Sequence, residues 1–153
     1  MDIREDDLTG EEVIQLLAEH LTHMQSIRPI ESVHVLGLEA LRSPDVTFWS
    51  AWVDDKLAGC GALKEIDAKT GEIKSMRTAK AHRRKGVASA LLEHIIHEAK
   101  QRTYDVLKLE TGARPEFVSA RSLYERYGFE YIGPFANYRE DPNSVFMMKW
   151  LTT

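Results

Sequence analysis

Residues 71–100 read GEIKSMRTAKAHRRKGVASALLEHIIHEAK, and this stretch decides the fold. Apolar residues recur through its second half at helical spacing: Val87, Leu91, Ile95 and Ala99, with Ala88, Leu92 and Ile96 beside them. That spacing predicts one long amphipathic helix whose charged residues are left to solvent. Residues 72–79 predict a strand ahead of the helix. The stretch is therefore a strand, a tight turn and a helix.

The turn is His82-Arg83-Arg84-Lys85-Gly86-Val87-Ala88, which is both cationic and sterically small. Gly86 and Ala88 allow the main chain to approach a ligand closely, and the first N–H groups of a helix have no acceptors within it. These N–H groups, the positive end of the helix dipole and the basic side chains together predict a pyrophosphate site. Neither Gly-x-x-x-x-Gly-Lys-(Ser/Thr) nor Gly-x-Gly-x-x-Gly after a strand is present, so other common phosphate loops fit less well.

Composition indicates an ordinary globular chain of 153 residues, with 43% apolar and 29% charged residues. We expect a single domain spanning residues 1–153. The net charge of -4 argues against nonspecific binding to nucleic acid or anionic lipid. The single cysteine, Cys60, excludes an internal disulfide, and the acidic start is unlike a secretory signal. No apolar run approaches the ~20 residues that cross a bilayer. We therefore predict a cytoplasmic protein with neither a nucleic acid nor a membrane as partner.

The remaining chain alternates short strands and helices without an internal repeat. A first helix after Thr9 is expected to turn Val13, Leu17, Leu21 and Met24 inward, with Ile14 and Leu16 alongside. Pro115 and Gly128 are expected to start and end a last helix. A second short helix is predicted at residues 31–41. Strands are predicted at residues 2–4, 47–53, 56–66, 72–79, 105–110, 129–132 and 145–150, the second and third joined by a hairpin at Asp54-Asp55.

Two segments resemble signatures of one family. Arg83-x-x-Gly86-x-Ala88 resembles the (Gln/Arg)-x-x-Gly-x-(Gly/Ala) signature of the GNAT superfamily of acyl-CoA-dependent N-acyltransferases. Ala120-Arg121-Ser122-Leu123-Tyr124-Glu125-Arg126-Tyr127-Gly128-Phe129 is similar to that family's A-x-x-L-Y-x-x-x-G-F segment. The order of elements resembles the GNAT fold over essentially the whole chain. The resemblance implies an α/β (α+β) fold, a mixed, mostly antiparallel sheet of about seven strands flanked by about four helices.

The resemblance also implies an activity, the transfer of an acetyl group from acetyl-CoA to a primary amine in a ternary complex, with no metal. The basic turn would hold the pyrophosphate, and the preceding strand would pair with the pantetheine arm. Main-chain N–H groups there would polarise the thioester oxygen. The cofactor-binding residues implied are Met76, Arg77, Thr78, Arg83, Arg84, Lys85, Gly86, Val87, Ala88 and Ser89. Phe117 departs from the pattern where many members have asparagine, and Arg84 replaces a common glycine.

Two residues are the candidate catalysts. By resemblance, Tyr124 faces the coenzyme sulfur and protonates the departing thiolate, although a tyrosine on an apolar stripe is more often core. Glu72 is the candidate base for the amine, directly or through a water. Strand alternation would place Glu72 on one face with Lys74, Met76 and Thr78. Glu65 and Glu110 remain rival bases.

Several alternatives stay open. The fold could serve a catalytically silent acyl-CoA sensor, and the basic turn could instead bind RNA. The histidine pairs His20/His23 and His94/His97 are interpreted as solvated polar faces rather than metal ligands. The expected partners are a small-molecule or peptide amine and a second copy of the chain in a homodimer. The acceptor should be shaped by the first two helices, residues 31–34 and the segment near Tyr138. Its charge is undecided: Glu31, Glu65, Glu72 and Glu110 favour a cationic amine, whereas Arg28, Lys74 and Arg77 favour an acceptor carboxylate.

Overall fold

The structure, a computed structural model, describes residues 1–27 and 37–151. The strands are β1 Asp2–Glu5, β2 Val46–Val53, β3 Lys56–Asp67, β4 Thr70–Thr78, β5 Val106–Gly112, β6 Glu130–Ile132 and β7 Ser144–Trp150, and the helices are α1 Glu11–Ile27, α2 Leu38–Leu41, α3 Val87–Gln101 and α4 Val118–Arg126. Single 3-10 turns at Lys80–His82 and Pro115–Phe117 precede α3 and α4. The second helix, predicted at residues 31–41, is helical from residue 38, and its part before residue 37 lies outside the described residues, as does Arg28.

All seven strands form one sheet in the order β1-β2-β3-β4-β5-β7-β6. Among the described strands, β4 and β5 pair in parallel and the other neighbours are antiparallel. The hairpin at Asp54-Asp55 is confirmed, with φ of 51° and 62°, the left-handed pair that a two-residue turn requires. The predicted mixed, mostly antiparallel sheet with flanking helices is confirmed. Within the described ranges, no helix is long and apolar enough to span a bilayer.

Apolar side chains cover both faces of the sheet. The predicted stripe of α3 is buried at Val87, Leu91, Leu92, Ile95, Ile96 and Ala99, and it packs with Leu123 and Tyr124 of α4 in the larger core. On the opposite face, α1 and α2 cover a smaller core that contains Cys60. Cys60 is fully buried in β3, as a small strand residue should be.

The inward face of α1 differs from the predicted one. Leu21 and Ile14 are 38% and 37% exposed, whereas Val13, Leu16 and His20 are buried. Steps of three and four residues place His20 in line with Val13 and Leu16, so helix geometry buries it despite its polarity. The interpretation of His20 as part of a solvated face is therefore wrong.

Strand β4 contains a bulge that reverses its side-chain alternation. Cys60 pairs with Arg77 and Ala62 with Lys74, so β4 has one more residue than β3 across this step. Ser75 lies within it at φ 56°. Met76 beyond the bulge packs into the α3-side core with Ile73. Glu72 and Lys74 therefore lie on one face and Met76 on the other, which contradicts the predicted shared face.

The sheet opens between β4 and β5. Their pairing runs only from Thr70–Val106 to Glu72–Lys108. Both strands continue beyond this point, to Thr78 and to Gly112. Because the two strands stop pairing after Glu72, the second half of β4 faces an opening rather than a neighbouring strand.

Candidate active site

The turn before α3 presents free main-chain donors. Gly86 caps the helix in the left-handed conformation at φ 79°, no side chain caps the helix, and no acidic residue lies in its first turn. Ala90 N–H donates to the Gly86 carbonyl, the first bond of the helix. The amides of residues 87–89 therefore have no acceptor within α3. Arg84 is also left-handed, at φ 64°. An anion at this helix start would meet both N–H donors and positive charge.

A cleft of about 880 Å³ runs from this turn to α4. We call it the main cleft. It is lined by the second half of α1, the end of β4, the start of α3, one side of α4 and the turn before α4. The predicted binding residues on its wall are Met76, Arg77, Thr78, Arg83, Arg84, Gly86, Val87, Ala88 and Ser89. Lys85 is exposed and is not among the described lining residues.

A smaller pocket of about 130 Å³ adjoins the main cleft where the sheet opens. We call it the inner pocket. The two cavities share the side chains of His20, Met24, Met76, Phe117, Ala120 and Tyr124. Phe117 is buried, and its ring occupies the space that a side chain at Gly112 would need. An aromatic ring therefore stands where the resemblance implied an asparagine contact.

Tyr124 lies on α4 at the junction of the two cavities. Its side chain is buried and packs edge-on against Phe129, with ring centroids 5.5 Å apart. Burial raises the pKa of the Tyr124 phenol well above its ordinary value, because the phenolate would lose its solvation. The hydroxyl therefore stays protonated at neutral pH, in the state that can donate a proton.

Glu72 is held in a closed group of three side chains. Its Oε2 accepts a hydrogen bond from the Tyr138 hydroxyl at 2.6 Å and from Lys74 Nζ at 3.1 Å. Lys74 Nζ also donates to the Tyr138 hydroxyl oxygen at 2.7 Å. The side chains of Lys74 and Glu72 are only 8% and 4% exposed. A buried carboxylate is thus neutralised by a buried ammonium, and one of its oxygens is fully engaged.

This triad of Glu72, Lys74 and Tyr138 forms a wall between two cavities. All three residues line the inner pocket on one side. On the other side they line an outer pocket of about 530 Å³, which is completed by Lys64 and residues 136–141. Sequence reasoning named Glu72 and the segment near Tyr138 separately; the structure joins them across 66 residues of chain.

The rival carboxylates occupy different places. Glu110 lines the inner pocket together with Glu72 and Tyr124. Glu65 accepts a hydrogen bond from the Tyr104 hydroxyl at 2.7 Å and is not among the described residues that line either the inner pocket or the main cleft. Of the two rivals, only Glu110 lies beside the opening of the sheet.

His20 is a site residue that the sequence analysis missed. It lines both the main cleft and the inner pocket, is 7% exposed, and its Nδ1 has no hydrogen-bond partner among the described residues. Burial, with smaller contributions from Arg77 and His23, lowers the pKa of His20 to about 4. The imidazole is therefore neutral at physiological pH. Its spacing from Val13 and Leu16 was the signal that could have revealed its position.

The sheet opens beside an uncapped, basic helix start, and a buried phenol lies at the opening. This is the arrangement expected of the acyltransferase family that the sequence resembles. The model of the acetyltransferase (GNAT) family matches residues 11–129. The chain belongs to this family, and it is an acyltransferase.

Individual relatives agree with the family assignment. The chain is 60% identical to the uncharacterised N-acetyltransferase YsnE of Bacillus subtilis over 151 residues, 99% of this chain and 100% of the relative. It is 48% identical to the uncharacterised N-acetyltransferase YedL of Escherichia coli over 145 residues, 95% and 91% of the two chains. The IAA acetyltransferase of Azospirillum brasilense is 36% identical over 139 residues, which are 90% of this chain and 89% of the relative.

Solved structures show the same fold. A Klebsiella pneumoniae protein assigned as an acyl-CoA N-acyltransferase superposes with a TM-score of 0.79 at 30% identity, covering 99% of this chain and 97% of that one. An aminoglycoside 6'-N-acetyltransferase complexed with coenzyme A superposes with a TM-score of 0.73, covering 100% and 98%. At 16% identity, the second likeness concerns the fold alone.

Proposed function

We propose that this chain is a single catalytic domain that transfers the acetyl group of acetyl-CoA to a primary amine by direct attack in a ternary complex. The observation that carries the proposal is the continuity of the site. The main cleft has a free helix start at one end and meets the inner pocket, with its buried phenol, at the other. The N-acetyltransferase relatives support acetyl transfer in general.

The chain's own residues fit acetyl-CoA. The diphosphate would bind the amides of residues 87–89, beside the side chains of Arg83 and Arg84. The pantetheine arm would pair with the open edge of β4 at residues 76–78, beyond the point where its pairing with β5 ends. Main-chain N–H groups near Met76 and Arg77 would then polarise the thioester oxygen, and acetyl-CoA supplies the activated acetyl group.

Two proton transfers complete the reaction. Tyr124, whose phenol is protonated at neutral pH, would donate to the departing thiolate. The attacking amine must lose a proton, and Glu72 or a water that it orients would receive it. The engaged Oε2 of Glu72 favours the water, since Tyr138 and Lys74 already donate to that oxygen.

The test is thiol release from acetyl-CoA with a panel of amino acids, polyamines, aminoglycosides and peptides. We expect at least one amine to raise thiol release well above the rate without acceptor. With that amine, double-reciprocal plots at several acetyl-CoA concentrations should intersect. Parallel lines would contradict direct transfer, because they indicate an acetylated enzyme. Binding of acetyl-CoA by calorimetry without turnover of any amine would instead identify a silent coenzyme-binding module.

A further inference from the structure

Three buried polar atoms lack hydrogen-bond partners at the junction between α1 and β4. They are His20 Nδ1, Ser75 Oγ and Arg77 Nε. His20 lines both cavities, Ser75 lines the inner pocket and Arg77 lines the main cleft. We call these three residues the polar cluster. None of the three atoms makes a hydrogen bond to a described residue.

Unsatisfied polar atoms of this kind are costly. A buried donor or acceptor without a partner costs roughly 1–3 kcal/mol, and folded proteins keep few of them. Three such atoms beside one pair of cavities therefore point to a ligand that supplies the missing partners. His20 makes the strongest case, because its whole side chain is buried while Nδ1 remains unpaired.

The chemistry of the cluster selects the charge of that ligand. Arg77 carries only donors, and a serine hydroxyl or a neutral imidazole can also donate. The charged neighbours that act on Arg77 are the cation Arg83 and the exposed Glu19, and Arg77 makes no ion pair with a described carboxylate. A group that accepts several hydrogen bonds and carries negative charge matches this set.

The triad accounts for two of the charged side chains in the inner pocket, and Glu110 is a further carboxylate on its wall. Lys74 is already paired with Glu72, so neither is free to bind an ionic group of the acceptor without breaking a buried ion pair. Arg77, on the wall of the main cleft, makes no such ion pair with a described carboxylate. The outer pocket lies beyond the triad, on the far side from the polar cluster.

We propose that the acceptor amine also carries a carboxylate, and that Arg77, Ser75 and His20 bind this carboxylate where the main cleft meets the inner pocket. The inference rests on the proposed function and adds the substrate class: amino acids and related amino carboxylates. Arg77 is then a specificity-determining residue of the acceptor site. The two other residues orient the same group.

The experiment compares three acceptor pools that differ only in the carboxylate, together with a fourth pool of unrelated amines. One pool contains α-, β- and γ-amino acids, a second the corresponding amino carboxamides, and a third the corresponding decarboxylated amines. Polyamines and aminoglycosides form a fourth pool. Thiol release from acetyl-CoA is measured for the wild type, Arg77→Gln, Ser75→Ala and the matched control Arg4→Gln, which alters an exposed arginine on the edge strand β1. Coenzyme A binding to each protein is measured by calorimetry.

We expect thiol release with the amino-acid pool and at least tenfold less with the carboxamides and decarboxylated amines. For the best amino acid, Arg77→Gln should raise the acceptor KM roughly ten- to hundredfold and Ser75→Ala a few-fold. Arg4→Gln should leave it unchanged. Because the pantetheine arm is proposed to pair with the main chain of residues 76–78, coenzyme A affinity should stay within about twofold in every variant, which also shows that the variants fold.

Three results would overturn the inference. Equal release from carboxylate-free amines, or release from the polyamine pool alone, would show that the acceptor needs no carboxylate while leaving the acetyltransferase function intact. A loss of coenzyme A affinity in Arg77→Gln that matches its loss of activity would assign Arg77 to the coenzyme phosphates. Release from no pool, with acetyl-CoA still bound, would remove the proposed function and the acceptor subsite together.

Discussion

Gly86 offers the sharpest test of where the diphosphate binds. Its φ of 79° is left-handed, and a Cβ built there would meet no atom of the described structure within 4 Å. A side chain at this position therefore costs backbone strain but does not clash with the protein. The perturbation is a matched pair, Gly86→Glu and Gly86→Gln, whose side chains have nearly the same shape and differ in charge.

The expected magnitude separates into two parts. Left-handed strain costs about 1–2 kcal/mol for any side chain, so both variants should lose about 5 °C in Tm. This loss cancels when the two are compared. Two unit charges about 6 Å apart repel by about 3 kcal/mol at an effective dielectric constant of 20. Allowing for screening at this exposed turn, we expect about 2 kcal/mol, or roughly thirtyfold weaker coenzyme binding in Gly86→Glu than in Gly86→Gln.

The assay is calorimetric titration with coenzyme A at about 20 and 300 mM salt, spanning Debye lengths well above and well below 10 Å. The ratio of the two dissociation constants should be largest at low salt and should shrink as salt rises. Titration with pantetheine, which has no phosphate, should give the same affinity for both variants.

Equal coenzyme affinities for Gly86→Glu and Gly86→Gln at low salt would refute the reasoning. Such a result would mean that no diphosphate charge lies near the start of α3. A penalty that appeared equally with pantetheine would also contradict it, because the cause would then be a distorted cleft rather than repulsion between charges.

The remaining predictions concern the buried groups of the site. Tyr124→Phe should lower kcat about a hundredfold while leaving the KM for acetyl-CoA unchanged, and an unchanged kcat in steady-state assays would remove its acid role. Lys74→Met should lower the free energy of unfolding by about 3–5 kcal/mol, because it leaves the buried Glu72 carboxylate without its partner. Adding Glu72→Gln should restore most of that stability in urea unfolding. Equal stability of the single and double variants would contradict the ion pair. The pKa of His20, lowered from 6.5 to about 4, makes unfolding easier as pH falls through this window, because only the unfolded chain then gains the proton. The loss in free energy of unfolding should approach about 3 kcal/mol by pH 4. His20→Gln should remove this pH dependence, which urea unfolding midpoints at pH 7.5 and 4.5 will measure.

The parts of the fold that local pattern controls could be predicted from the sequence. The stripe of α3, the hairpin at Asp54-Asp55 and the stop at Gly128, where φ is 89°, all depend on residues that are close in sequence. Periodicity and turn chemistry act over a few residues, so they were sufficient here. The family signatures extended the prediction to the order of the elements.

The site was less accessible to the same reasoning because its decisive contacts are distant in sequence. Glu72 meets Tyr138 through the sheet opening, and no local pattern reports that contact. The predicted shared face of β4 was wrong because one extra residue at Ser75 reverses the alternation, and a bulge has no strong signature in a single sequence. His20 was misjudged because polarity was given more weight than its register with Val13 and Leu16.

The bulge at Ser75 connects the opening of the sheet with the direction of Arg77. In a regular strand, Glu72, Lys74, Met76 and residue 78 would share a face, and Arg77 would point toward α3. The extra residue instead turns Met76 into the α3-side core and aligns Arg77 with its partner Cys60, whose side chain lies in the core beneath α1. Arg77 is thereby brought to the side of His20, and both then line the main cleft. The extra residue in β4 thus interrupts the regular strand beside the proposed thioester site. It also places Arg77 where we propose that it binds the carboxylate of the acceptor.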